Sequence, residues 1–358
     1  MASTWPTEVE LLRELVATPS VSGNEAAVAR LVEETAWRSG LDVVNDDAGI
    51  RITVPGHAPG PTLALVSHLD VVPPGEGWTR DPFVPVIEGE RLYGRGSGDA
   101  KASVAAMLSA VEDVARDGGP ARGRLIAIFG LNEETRHTTM ATAVERAGSI
   151  DAAVVGEPTN LHFATAQRGL MMIDLVARGD QRHAGYAAED GEFTNSIVRL
   201  SEAIGNLTGL FRGRMHPILG HTTVTPTMME SGISRNVTPP VARAILDVRS
   251  TPDWSHAELA EELRRALDVE VVVASDRLVP CETPAGSALL ACARAVRPGA
   301  RTFGSPTCSD WVFLRNRDTF KCGPGTSRRS HTPDEYVDLP EMIEARQFYR
   351  HLAESYLA

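Results

Sequence analysis

Histidine and acidic side chains follow several apolar segments of this sequence, where they could bind metal ions or transfer protons. They are His68 and Asp70 after TLALVS, Asp99 before a long alanine-rich segment, Glu133 and Glu134 after RLIAIFGLN, and Glu157 after AAVVG. If these segments are neighbouring strands of a helix-covered sheet, the side chains meet at its carboxyl edge, where such sheets bind ligands. Carboxylates gathered in one pocket repel one another unless cations neutralise them, and nitrogen and oxygen donors suit zinc, cobalt or manganese. The pattern predicts a pair of divalent metal ions, although His68 taken alone would more often be a buried structural histidine.

The spacing of these residues suggests how they divide the chemistry. Side chains two positions apart in a strand point the same way, so Asp70 can accept the second N–H of His68 and fix its tautomer. Glu133 and Glu134 are neighbours at a junction between strand and turn, where their side chains can diverge. One can then bind a metal while the other takes a proton from water and passes it to a leaving amine. The residues alone leave open which glutamate has which task.

The predicted pattern of helices and strands changes along the chain. At first, continuous apolar strands alternate with helices, which is typical of an α/β sheet covered on both faces. From about Leu170 the pattern becomes β-α-β-β-α-β, the order of a ferredoxin-like unit, with Ser255 as the expected N-cap of its second helix. We therefore expect a catalytic α/β domain formed by residues 1–167 and 277–358, with a ferredoxin-like α+β domain inserted at 168–276.

Composition excludes several classes of partner. The chain has 358 residues, 42% of them hydrophobic and 23% charged, as in an ordinary globular protein of two domains. Its formal net charge of −12 argues against nucleic acid or an anionic membrane as partner. We find no basic-then-apolar leader and no uninterrupted apolar run of about eighteen residues. The four scattered cysteines predict no disulfide framework, so we expect a cytoplasmic protein.

Five ordered motifs resemble the signature of the acetylornithine deacetylase / succinyl-diaminopimelate desuccinylase family. They are SHLDVVPPGEGWTRDPFVPVIEGERLYGRGSGDAKAS, NEET, GEPT, SRNVTPPVARAILDVRS and CGPGTSRRSHTPDEYV. The family comprises co-catalytic zinc hydrolases and includes aminoacylases, carboxypeptidases and dipeptidases. The resemblance covers essentially the whole chain. It implies a zinc-hydrolase domain with a mixed sheet and an inserted domain that serves as lid and dimerisation surface.

The resemblance also implies roles for the residues at the strand ends. Two divalent ions, zinc first and cobalt or manganese as alternatives, would be bound by His68, Asp99, Glu134, Glu157 and His331. Asp99 would bridge the two ions, with His68 and Glu157 completing one site and Glu134 and His331 the other. Asp70 would support His68, and Glu133 would be the general base and acid.

Five further residues match positions that relatives use around the substrate. His183 matches a histidine that reaches the active site of a partner subunit and stabilises the oxyanion, which implies a homodimer. Arg168, Asn236 and Arg249 match positions that bind the carboxylate or acyl end. Arg249 could instead be a surface strand residue, and Asn236 could cap a turn. Asp310 lies where relatives line the pocket, and a structural role is equally open.

The implied activity is hydrolysis of the amide bond of a small N-acyl amino acid. N-acetylornithine, or a related acetyl or succinyl derivative of ornithine or citrulline, is the expected substrate in amino-acid biosynthesis. Succinyl-diaminopimelate desuccinylation and dipeptide or carboxypeptidase cleavage are alternatives within the family. A non-catalytic metal-binding dimer is the alternative outside it. His137 stands in no motif and is expected to be structural or solvated.

Overall fold

The computed structural model describes residues 5–187 and 193–358, which fold into two compact units. The larger unit consists of the residues up to Thr165 together with Thr283–Phe303 and Ser309–Ala358. The smaller unit consists of Ala166–Glu282 and Gly304–Cys308. The short segment Gly304–Cys308 thus groups with the smaller unit, although the sequence analysis assigned it to the catalytic domain. The assignment of 168–276 as an inserted domain remains a prediction.

The described residues contain eight α-helices. Their bounds are α1 Thr7–Ala17, α2 Ala26–Arg38, α3 Lys101–Arg116, α4 Thr139–Ala147, α5 Ser196–Gly205, α6 His256–Ala266, α7 Ala288–Val296 and α8 Leu339–Tyr356. None of them combines the length and apolar character needed to cross a lipid bilayer.

The described residues also contain sixteen β-strands. The first eight are β1 Asp42–Asp46, β2 Gly49–Pro55, β3 Thr62–His68, β4 Val86–Glu88, β5 Arg91–Tyr93, β6 Arg124–Gly130, β7 Ala152–Val155 and β8 Phe163–Gln167. The remaining strands are β9 Gly169–Arg178, β10 Thr223–Ser231, β11 Val241–Ser250, β12 Glu270–Leu278, β13 Cys281–Glu282, β14 Thr302–Ser305, β15 Asp318–Lys321 and β16 Tyr336–Asp338.

The larger unit is built on a mixed sheet whose central strands are parallel. Its strands lie in the order β1-β2-β6-β3-β7-β15-β8. Strand β3 is parallel to β6 and β7, and β15 is parallel to β7, whereas β1, β2 and β6 pair antiparallel. All seven residues of β3 and all four of β7 are buried, as expected of strands covered on both faces. The predicted α/β character of this part of the chain is therefore confirmed.

The parallel strands determine where the candidate residues lie. His68 is the last residue of β3 and is paired in register with Gly130, the last residue of β6. The glutamate pair follows β6, and Glu157 follows β7. Since parallel strands end at the same edge, the sheet brings these side chains together.

A small sheet in the order β16-β5-β4 carries a second part of the site. Strand β16 pairs antiparallel with β5, with Val337 opposite Leu92. This pairing sets the loop 331–335 beside the loop 94–99, which leads into α3. His331 and Asp99 are consequently close in space although far apart in the chain.

The smaller unit has a four-stranded antiparallel sheet in the order β10-β11-β9-β12. Helices α5 and α6 bury an apolar cluster against it that includes Leu200 and Leu259. Its elements follow one another as β9-α5-β10-β11-α6-β12, the order predicted from the sequence. Ser255 caps α6 as predicted, and Glu258 completes a reciprocal capping box.

Candidate metal centre

His68 lies at the centre of the candidate site and is almost completely buried. Its Nδ1 is 3.0 Å from the backbone oxygen of Asp70 and 3.5 Å from the Asp70 carboxylate. Its Nε2 points the other way, 3.4 Å from Oδ1 of Asp99 and 4.0 Å from Oε1 of Glu157. An Nδ1–H donated to Asp70 leaves Nε2 as the free ligand atom. The sequence predicted the Asp70 side chain as the acceptor, whereas the hydrogen bond is made with its backbone oxygen and the carboxylate lies farther away.

His331 joins the site from the loop before β16. Its Nε2 lies 2.9 and 3.0 Å from the two carboxylate oxygens of Glu134 and 3.7 Å from Oδ2 of Asp99. Asp99 therefore turns one oxygen towards His68 and the other towards His331. This is the arrangement that a carboxylate bridging two metal ions requires. The ligand atoms of His68, Asp99 and Glu134 lie close enough together to share one metal ion, and those of Glu133, His137 and Asp310 form a second such group.

Asp70 organises the turn that carries the two glutamates. Its carboxylate is fully buried and accepts the backbone N–H groups of Glu133 and Glu134, each at 3.0 Å. It also accepts the hydroxyl of Ser22 at 2.6 Å. Burial alone would raise the pKa of Asp70, but the hydrogen bond with His68 and the other donors lower it to about 2. Asp70 is therefore held as a carboxylate.

The remaining carboxylates of the site carry more negative charge than the neighbouring side chains compensate. Burial raises the pKa of Glu157 to about 8, and the charge of Asp99 adds to the rise. Burial also raises the pKa of Glu133 well above its usual range, with contributions from Glu157 and Asp310. Burial and the charge of Asp99 raise the pKa of Glu134. Such shifts are typical of acids gathered where a cation can neutralise them.

The donor set fits two divalent cations. It offers two imidazole nitrogens and several carboxylate oxygens and lacks thiolates, which is the chemistry of zinc, cobalt or manganese sites in hydrolases. The five residues in question are His68, Asp99, Glu134, Glu157 and His331.

His137 lies in the candidate site, although the sequence did not predict it as a site residue. Its Nδ1 is 3.2 Å from Oδ1 of Asp310 and 3.6 Å from Oε1 of Glu133. Asp310 begins a short 3-10 turn, and its side chain is buried. Asp310, predicted to contact substrate or to be structural, thus holds a histidine that faces Glu133. The spacing of four residues between Glu133 and His137 could have suggested this contact, but no sequence pattern indicates the distant Asp310.

Two predicted residues of the smaller unit, His183 and Asn236, lie next to each other. The backbone N–H of Ala184 donates to the backbone oxygen of Asn236 at 2.8 Å. His183 is exposed, and its Nδ1 accepts the N–H of Gly185 at 3.1 Å. The proton of a neutral ring is then on Nε2, so His183 can act as a hydrogen-bond donor.

The two predicted arginines of the smaller unit are engaged by the protein itself. The guanidinium of Arg168 donates to the backbone oxygens of Leu219, His221 and Arg249 at 2.5, 2.7 and 3.1 Å. The guanidinium of Arg249 forms a two-point ion pair with Asp247 at 2.7 and 3.0 Å. Substrate contact by either arginine therefore remains a prediction that these bonds do not favour.

The comparison with known proteins identifies the family. Residues 64–355 match the sequence profile described as Peptidase family M20/M25/M40. The chain belongs to this peptidase family. It is accordingly a metal-dependent hydrolase that acts on amide bonds.

Individual M20 relatives agree with this assignment. A protein of Rhizorhabdus wittichii named succinyl-diaminopimelate desuccinylase is 29% identical, with 98% of each chain covered. The same name is carried by relatives from Stenotrophomonas maltophilia and Gluconobacter oxydans. The M20 metallo-carboxypeptidase of Sulfolobus solfataricus has a similar fold, with a TM-score of 0.80 over 99% of this chain and 100% of that one at 18% identity. A protein of Bacillus subtilis described as a dinuclear metal-binding M20 peptidase gives a TM-score of 0.75, covering 97% and 96% of the two chains at 17% identity.

Proposed function

We propose that this M20 hydrolase uses two divalent cations to hydrolyse the amide bond of a small N-acyl amino acid. The observation that carries the proposal is the convergence of His68, Asp99, Glu134 and His331 with Glu133 beside them. A pair of cations explains why so many carboxylates share one buried pocket. It also explains why Asp99 presents its two oxygens to two different histidines.

In this proposal the five ligands divide between two sites that share Asp99. His68 and Glu157 would complete one site, and Glu134 and His331 would complete the other. Zinc is the first choice, with cobalt or manganese as alternatives. The bound cations supply charge neutralisation and Lewis-acid polarisation of the scissile carbonyl.

The remaining chemistry is assigned to the side chains of this chain. Glu133 removes a proton from the attacking water, whose oxygen forms a bond to the carbonyl carbon. The carbon–nitrogen bond then breaks, and Glu133 delivers the proton to the amine nitrogen. The products are an amine and a carboxylic acid, which keeps the second proton of the water until it ionises in solvent. The raised pKa of Glu133 suits a group that must both accept and release a proton. Asp70 holds the backbone of Glu133 and Glu134 while this occurs.

We further propose that the smaller unit is the lid and dimerisation domain implied by the family resemblance. The exposed position of His183 and its available Nε2–H support a role as donor to the oxyanion. In a homodimer, His183 of the partner subunit would make this contact. Asn236, which lies beside it, would bind the substrate, and a cytoplasmic location is part of the same proposal.

The identity of the acyl group is the least constrained part of the proposal. The sequence motifs favour N-acetylornithine or a close relative, whereas several relatives are named succinyl-diaminopimelate desuccinylase. A succinyl group carries an additional carboxylate, which needs a cationic partner. Because Arg168 and Arg249 are occupied by internal bonds, neither supplies one without rearrangement. Both acyl classes therefore belong in the first substrate panel.

The test is amine release by protein reconstituted with two equivalents of zinc or cobalt. The panel consists of N-acetylornithine, N-acetylcitrulline, N-succinylornithine, succinyl-diaminopimelate and several dipeptides. Turnover of one acyl-amino acid by the wild type, lost by roughly 10²–10⁴-fold in Glu133→Gln with metal content retained, supports the proposal. Turnover only of dipeptides would replace the substrate class. Absence of turnover across the panel with two metals bound would favour a non-catalytic metal-binding protein.

A further inference from the structure

Glu335 is a buried carboxylate that lies behind the proposed metal ligands. Its side chain is 1% exposed. One oxygen, Oε1, accepts the backbone N–H groups of Gly98 and Asp99 at 2.9 and 3.0 Å. The other oxygen accepts the N–H of Gly96 at 3.2 Å and the guanidinium of Arg95 at 2.6 Å. Glu335 is thus surrounded by donors from the loop that ends in Asp99.

Arg95 extends this contact to two further loops. Its guanidinium also donates to the backbone oxygen of Pro74 at 3.1 Å and faces the ring of Trp78, 5.1 Å from the ring centroid. It lies 3.4 Å from the backbone oxygen of Thr332, the residue after His331. The pair of Glu335 and Arg95 therefore joins the loops 74–78, 94–99 and 331–335.

Glu335 links the loop that carries His331 to the backbone of Asp99. It belongs to the same short loop as His331, and it holds the backbone of Asp99 itself. In the proposed metal centre, Asp99 is the bridging ligand and His331 is a ligand of one site. Since a free loop would allow Asp99 to move relative to His331, the carboxylate of Glu335 fixes the separation of two ligands that come from distant parts of the chain.

We propose that Glu335 is a positioning residue that presets Asp99 and His331 for metal binding through the N–H groups of Gly96, Gly98 and Asp99. The inference rests on the proposed function because it takes Asp99 and His331 as ligands. Residues that hydrogen-bond to metal ligands typically contribute about 10–100-fold to metal affinity. Glu335 acts through the backbone of the loop rather than by touching metal or substrate.

Two variants separate this role from that of the ion pair. Glu335→Gln puts an amide N–H₂ against donors that need an acceptor, and it removes the charge opposite Arg95. Arg95→Met breaks the same ion pair but leaves the three backbone N–H groups with their carboxylate. Both variants lose a buried pair and should be destabilised, which thermal melting of the metal-free proteins measures. Only Glu335→Gln should lose the preset geometry.

The decisive readout is the affinity for Co²⁺, titrated by its visible absorption in the protein without substrate. We expect Glu335→Gln to bind Co²⁺ at least about tenfold more weakly than wild type, and Arg95→Met to stay within about threefold. Equal losses in the two variants, or unchanged affinity in Glu335→Gln, would overturn the inference. If Glu335→Gln does not fold, Glu335→Asp replaces it, because it keeps the charge but withdraws the carboxylate from Gly98 and Asp99. Amine release is measured separately, so a wild type that binds cobalt without turnover would reject the proposed function and leave this inference standing.

Discussion

The carboxylate of Asp70 accepts a hydrogen bond from the backbone N–H of Glu134 at 3.0 Å, across 64 positions of the chain. A second bond of the same length comes from the N–H of Glu133. The residue that supports His68 therefore also fixes the turn after β6. One buried side chain couples a proposed metal ligand of β3 to the proposed general base and to a ligand of the second site.

Replacing Asp70 by asparagine should disturb this turn without unfolding the protein. An amide offers one acceptor oxygen, so one of the two backbone N–H groups would meet an N–H₂ instead. We expect Asp70→Asn to lower kcat/KM by about 10–100-fold, or Co²⁺ affinity by a similar factor. Ser22→Ala is the matched control, since it removes a donor to the same carboxylate and leaves both acceptors in place. If Asp70→Asn keeps wild-type activity and Co²⁺ affinity, Asp70 does not couple His68 to the turn that carries Glu133 and Glu134.

His137 should matter for turnover more than for metal binding. Its Nδ1 lies between Asp310 and Glu133, and it orients the carboxylate that we propose to move the proton. We expect His137→Asn to lower kcat by about tenfold while KM and the number of bound metal ions change little. Steady-state kinetics together with metal analysis of the purified protein provide the measurement.

The control for His137 is His351→Asn, a substitution at an exposed position of α8. It should leave kcat and KM at wild-type values. If His137→Asn also keeps full kcat, the contact with Asp310 is structural only. If it loses a metal ion, His137 belongs to the ligand set rather than to the environment of Glu133.

An ion-pair network stabilises the packing of α1, α3 and α8. Arg346 makes two hydrogen bonds of 2.8 Å to Asp113 and one of 2.5 Å to Glu8, and both acids are buried. Arg346→Met removes the cation that pairs with buried Glu8 and leaves buried Asp113 with only the exposed Arg116, 2.9 Å away. It should lower the free energy of unfolding by about 3 kcal/mol.

Arg350→Met is the control because it removes a half-buried arginine of the same helix whose partners, Asp117 and Glu354, are both exposed. It should change stability by about 0–1 kcal/mol. Urea denaturation of both variants measures the difference, and equal effects would contradict it.

The same network predicts how stability depends on pH. Burial alone would raise the pKa of Asp113, but the hydrogen bonds from Arg346 lower it below its usual value. Its contribution is therefore complete above the ordinary carboxyl pKa of about 3.9 and is lost as the pH falls through the lowered value. The difference in unfolding free energy between wild type and Asp113→Asn should stay constant down to about pH 4 and narrow as the pH falls from about 4 to about 3. A constant difference over that range would show that the charge of Asp113 does not contribute.

The parts of the site that the sequence predicts are those that regular strands position. Strands β3, β6 and β7 are continuous apolar runs, so their ends and the side chains that follow could be located from hydrophobic pattern alone. Ser255 was likewise recognisable, because an N-cap is a local property of a few adjacent residues. The family resemblance added His331 and the division of roles.

What the sequence could not predict depends on contacts between distant segments. The pairing of His137 with Asp310 joins residues 173 positions apart. The use of Arg168 to satisfy three backbone oxygens depends on how the loop around Leu219 folds, which no local pattern encodes. The contacts of Glu335 arise from the pairing of β16 with β5, since only that pairing brings the two loops together.

The central claim is that five side chains of the larger unit hold two divalent cations that share Asp99. Anomalous diffraction at the zinc edge, from crystals of the zinc-reconstituted protein, tests it most directly. We expect two peaks, one within bonding distance of His68 and Glu157 and the other within bonding distance of Glu134 and His331. Asp99 should contact both. A single peak without Asp99, or peaks located away from these five residues, would contradict it.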